Sequence, residues 1–183
     1  MAIKMNPVVL IVVILALMVN LIHASPVPTA EPHGIRSVLD GFNKIGTGVT
    51  ELDKAVKVYN NKTDIASIRT LTYNVEWLIM RTFDDVSKNK DFNDKDSKTL
   101  TAAHLKFKQG LETMLGDLIK IKDLIKKTNK SDFMFNNFES LHSRCFPLSD
   151  ALENKATDPE SKSIGAITEQ LDRSFENALK QIN

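Results

Sequence analysis

Beyond residue 24 the chain carries three histidines, His33, His104 and His142, and a single cysteine, Cys145. Cys145 and His142, three positions apart, supply two partners of a thiol nucleophile. That chemistry also needs an oriented base and an oxyanion hole, and no third group stands with them. Glu139 and His142 form one Glu-x-x-His. Carboxylate-bridged di-iron bundles need two such pairs and two further helix glutamates, so this copy is read as a coincidence of spacing. No G-x-S-x-G, H-E-x-x-H, Walker loop or G-x-G-x-x-G occurs. The chain therefore reads as non-enzymatic, with no catalytic residue, no metal site and no cofactor.

His104 stands on an apolar seam. It fits either an ordinary buried histidine satisfied by a neighbour or a polar anchor for a ligand head group, since binding cavities are mostly apolar with a few placed polar groups. Lys120, Lys122, Lys126, Lys127 and Lys130 cluster, but Asp117 and Asp123 are interspersed. Cations at a helix C-terminus also complement its dipole, so the cluster reads as a solvated face. Two sequons, Asn61-Lys62-Thr63 and Asn129-Lys130-Ser131, fall in polar gaps and make Asn61 and Asn129 candidate glycosylation sites.

The N-terminus sets the compartment. Lys4 is followed by an unbroken apolar run over residues 8–18, extended by Val19, Leu21 and Ile22, with small Ala24 after it. That is the pattern of a signal peptide over residues 1–24; a signal anchor is the rival reading, but the run is short for a membrane span. Cleavage removes one cation from 24 basic against 23 acidic side chains and leaves the charges balanced. Nothing then drives nucleic-acid binding or adsorption to an anionic membrane. The product is expected to be secreted, as a monomer or weak dimer. A lone Cys145 permits no internal disulfide. It reads as a small buried apolar residue, with pairing between chains as the alternative.

Residues 25–34, with three prolines and a glycine, read as a flexible linker, and residues 35–183 as one all-α domain. Ile35, Val38, Phe42, Ile45, Val49, Leu52, Val56 and Tyr59 recur in steps of three and four, the spacing of a packing helix. A second helix over about 64–88 carries Ile65, Ile68, Leu71, Val75, Leu78, Ile79 and Val86, with Thr63 or Asp64 as cap. A further row on it, Tyr73, Trp77 and Met80, marks either a central helix or an outward patch. A third run, capped by Asn93, Asp94 or Asp96, reaches about residue 127 through Leu100, His104, Phe107, Leu111, Met114, Leu118, Ile121 and Ile125. Phe133, Phe135, Phe138, Leu141, Cys145, Leu148 and Leu152 form a fourth segment, in which Pro147 predicts a kink or break. Asp158 as N-cap and Pro159 at N1 open a last helix with Ile164, Ile167, Leu171, Phe175 and Ile182 on its stripe. The expected fold is an up-and-down bundle of about five amphipathic helices.

The order of these segments resembles the fungal hydrophobic surface-binding protein A family, which includes cell-wall galactomannoproteins. The likeness lies in IRSVLDGFNKIGTGVTELDKAVKVYNN, with Val38, Leu39, Phe42, Ile45, Val49, Leu52, Ala55 and Val56 on the family's first-helix pattern, in FNDKDSKTL, in LIKIKDLIKKTNKSDF and in DALENKATDP. Cys145, Pro147 and the Lys/Asn-rich composition depart from it. The chain also stops at Asn183 without a Ser/Thr-rich stalk or anchor signal, so free secretion is favoured over wall attachment. The resemblance implies a bundle that binds a fatty acid, a sterol or an apolar surface between amphipathic helices, with cell-wall components as a further partner. Candidate lining residues are Val75, Leu78, His104, Phe107, Leu111, Met114, Phe138, Leu141, Leu171 and Phe175. The alternative is a secreted glycoprotein or effector with a solid core that acts through protein contacts around Trp77.

Overall fold

Each apolar stripe becomes a helix in the structure, a computed structural model that describes residues 34–60 and 65–183. The signal peptide, most of the linker, Asn61 and the Thr63/Asp64 cap lie outside the described residues. Helix α1 spans Ile35–Lys57, α2 Ile65–Lys88, α3 Asp94–Lys120, α4 Lys122–Lys127, α5 Ser131–Lys155 and α6 Asp158–Ile182. No strand occurs among the described residues. The stripes of all five long helices merge into one apolar core, each large side chain contributing about 1.5–3 kcal/mol on burial.

Three local expectations change. The start of α3 is fixed by Asn93, whose side chain accepts a hydrogen bond from the Asp96 backbone N–H at 3.0 Å. Its run stops at Lys120, however; Ile121 leaves helical geometry and the six-residue α4 follows. On α6 the cap moves back one residue, to Thr157, placing Asp158 and Pro159 in the first turn, where an acid suits the dipole. Finally, α5 runs without a break through Pro147. A proline inside a helix costs about 3 kcal/mol, but Leu141, Cys145, Leu148 and Leu152 are buried on both sides of it. Burial of two anchored flanks outweighs the local cost.

The five long helices close into a ring in the order α1, α2, α5, α6, α3 and back to α1. Chain direction alternates from each long helix to the next, but ring order is not chain order. Gly41 of α1 meets Thr82 of α2, and Gly48 meets Val75, so that pair is antiparallel. Phe42 faces His104 while Val49 faces Gly110, so α1 and α3 run parallel. Helix α4 allows this arrangement by carrying the chain from α3 to α5, which do not flank each other. Polar ties close both ends. At one, the Phe92 N–H donates to the Lys155 carbonyl at 2.8 Å and the Thr157 N–H to Ser97 Oγ at 3.1 Å. At the other, the hydroxyls of Tyr59 and Thr128 lie 2.9 Å apart.

The α1–α2 contact is close enough to test. A Cβ at Gly41 would lie 2.9 Å from Thr82 Cγ2 and nearer still to its Oγ1, whereas one at Gly116 meets nothing within 4 Å. Gly41→Ala is expected to lower the free energy of urea unfolding by about 1–3 kcal/mol, and Gly116→Ala to raise it by about 1 kcal/mol.

Candidate functional site

The ring interior collects nine of the ten candidate lining residues. His104, Phe107, Leu111 and Met114 enter from α3, Phe138 and Leu141 from α5, Leu171 and Phe175 from α6, and Val75 from α2, all buried. Leu78 alone stands at the rim, half-buried against Gly48 between α1 and α2. Helix α1 supplies a residue the sequence reading did not select. Phe42 packs 6.3 Å from the His104 ring and 6.0 Å from that of Phe107, and Phe107 lies 6.1 Å from His104. Phe42 sits on the same periodic stripe as its neighbours, and that stripe was the available signal.

His104 is a fully buried ionisable side chain at the centre. Its Nε2 lies 3.0 Å from Ser149 Oγ, across the ring from α3 to α5. The Ser149 hydroxyl donates its proton to the Cys145 carbonyl at 3.1 Å. The tautomer that satisfies both contacts carries its proton on Nε2 and donates to Ser149 Oγ, whereas the other would give up the bond to the Cys145 carbonyl. Nδ1 is left as a bare acceptor, buried and without a hydrogen-bond partner among the described residues. Burial pushes the His104 pKa from 6.5 down to about 4, so the ring is neutral at neutral pH.

The other chemically suggestive residues are occupied structurally. His142 Nε2 is 2.9 Å from Asp172 Oδ1 on α6, and its ring stacks on Phe175 at 4.7 Å, while Glu139 is exposed. The Cys145 thiol donates to the Leu141 carbonyl at 3.3 Å, and desolvation pushes its pKa up, away from thiolate chemistry. Asp117 takes Lys120 at 2.6 Å and Lys57 at 3.0 Å, and Lys57 also holds Asp53 at 2.5 Å. Those ammonium groups, Lys120 first, hold the Asp117 carboxyl down at about 2. The result is a charged clasp across the α1–α3 seam. Among the described residues no group of three or more His, Cys, Asp or Glu could hold a metal ion.

Two outward features complete the site. A groove of about 440 Å³ runs between α1 and α3, with Leu39, Phe42, Ala103 and Phe107 as apolar walls, Gly46 leaving room, and exposed Lys106 at the rim. Its volume falls within the roughly 300–1,000 Å³ of small-molecule sites. Phe42 and Phe107 belong to both the groove and the layer over His104. On α2 the second apolar row points outward rather than into the bundle. Tyr73 is 66% exposed, Trp77 50% and Met80 47%, with the Arg81 guanidinium 5.3 Å above the indole.

Residues 35–154 match the family described as hydrophobic surface binding protein A. Among solved structures, AfMp4p in complex with palmitic acid has the same fold, with a TM-score of 0.78 at 20% identity over 82% of this chain and 100% of that one. Ligand binding domain 1 of Penicillium marneffei MP1, complexed with arachidonic acids, follows at 0.75 and 10% identity, covering 84% and 99%. Domain 2 of the same protein, complexed with multiple arachidonic acids, gives 0.76 and 9%, covering 81% and 96%. No curated protein matches the chain by sequence.

The buried imidazole makes stability depend on pH. An unfolded histidine takes up a proton near pH 6.5, whereas folded His104 resists until about 4. Below pH 6.5 the unfolded state binds the extra proton, so stability should fall as pH drops toward 4, by on the order of 3 kcal/mol over the window. Denaturant melts of the wild type and of His104→Gln check this, the variant losing much of the slope between pH 6.5 and 4.

Proposed function

The chain belongs to the hydrophobic surface binding protein A family, and on that premise we propose that it is a non-enzymatic carrier of a long-chain lipid, taken up between α1 and α3. The observation that carries this reading is the apolar groove, whose walls Phe42 and Phe107 are also core residues. A tail entering there passes Lys106 at the rim and meets the apolar faces of Leu39, Phe42, Ala103 and Phe107. Fatty acids bound in structures of the same fold support the reading. Candidate lining residues are those of the seam, from Val75 and Phe107 to Phe138 and Phe175.

The carrier acts outside the cell. The signal-peptide pattern and the balanced charge support this. So does the Asn129 sequon, which is exposed in the turn between α4 and α5 and has φ at 57°; a glycan there would project into solvent. The exposed Tyr73, Trp77 and Met80 favour a second reading, in which the outer face of α2 adsorbs to an apolar surface or to a partner protein.

The two readings separate experimentally. A fluorescent fatty acid should titrate the delipidated protein to saturation and be displaced by palmitic acid. Gly46→Leu, whose added side chain has open space within 4 Å of its Cβ, should fill the groove and weaken binding at least about tenfold without lowering thermal stability. Trp77→Ala should leave that titration intact and reduce retention on an octyl surface. Absence of any saturable binding would remove the carrier reading.

A further inference from the structure

Resting on the carrier reading, we propose that His104 anchors the ligand's head group, and that this head group is a hydrogen-bond donor, the O–H of a long-chain alcohol or of a protonated fatty acid. The assignment comes from the tautomer. In the tautomer that satisfies both contacts, the Ser149 hydroxyl donates to the Cys145 carbonyl, Nε2–H donates to Ser149, and Nδ1 remains an acceptor with no partner among the described residues. A buried acceptor left unpaired costs free energy, and a ligand that brings a donor recovers it. An ether or ester of the same tail brings only lone pairs, which Nδ1 repels. A carboxylate is excluded in the same way, since the neutral ring has no N–H to offer it on that side.

Access is short. Phe42 and Phe107 each lie about 6 Å from the imidazole and each forms part of the groove wall. Parting these two rings joins the groove to His104. The head group then sits against the imidazole while the tail lies between α1 and α3, beside Leu39 and Ala103.

The test compares hexadecanol with its methyl ether, which differ in the donor and little else, by displacement of the fluorescent fatty acid. The wild type should prefer the alcohol by about tenfold. His104→Leu should bring the ratio to about one, and His104→Gln, which keeps an amide oxygen as acceptor, should restore part of it; circular dichroism establishes that both variants are folded. Because Leu in that position could alter the fold, ¹⁵N spectra of the wild-type histidines give an independent readout. The Nδ1 resonance of His104 should move upfield when hexadecanol binds and stay in place with the ether. Palmitic acid producing the same movement assigns the protonated carboxyl as a second donor; palmitic acid without it confines the site to alcohols, and the anchor stands in both cases. Equal affinity for alcohol and ether, with Nδ1 unmoved, overturns the anchor and leaves the carrier reading intact. No binding of any of the three overturns both.

Discussion

Every long helix in this fold buries one apolar stripe against two neighbours at once, and that double burial is the constraint from which the rest follows. With helix axes 8–10 Å apart, five helices in a ring stand roughly 8 Å from the common axis, against roughly 6–7 Å for four. The wider centre must be filled. Phe138, Phe175, Leu111 and Met114 fill most of it, and the His104–Ser149 bridge spans it between two helices that do not flank each other. A cross-section that needs large side chains to close it is also one that a hydrocarbon tail can enter by replacing them.

The polar groups follow the same geometry. The α1–α3 seam carries a charged clasp of Asp53, Lys57, Asp117 and Lys120 near one end. The apolar groove occupies the other part of that seam, around Phe42 and Phe107. One pair of helices is thus held by ion pairs at one point and by easily exchanged apolar contacts at another. An opening between α1 and α3 would begin where no charges have to be separated.

Much of this arrangement was legible in the sequence. Burial recurs with the helical period, so Val38 to Val56 and Ile164 to Ile182 announced their faces before any contact was known. The cap of α3 is narrowed to Asn93, Asp94 or Asp96 because the chemistry of capping is local, and the structure selects Asn93. A break at Pro147 is absent for the complementary reason: the proline's cost is local, but the burial of Cys145 and Leu148 that holds the helix together comes from other helices. Ring order was hidden because a stripe says that a helix is buried, not which two neighbours bury it. The row of Tyr73, Trp77 and Met80 was ambiguous on the same ground, and the bare Nδ1 of His104 depends on a serine 45 positions away.

The lone cysteine has a use that its inertness creates. Cys145 lies in the wall shared by α5 and the core, 3% exposed, with its thiol bonded to the Leu141 carbonyl. A thiol reagent can reach it only when the ring opens. The protein therefore carries a built-in stopwatch for its own breathing. The labelling rate of a single native atom would time the opening of the wall that α5 contributes to the core.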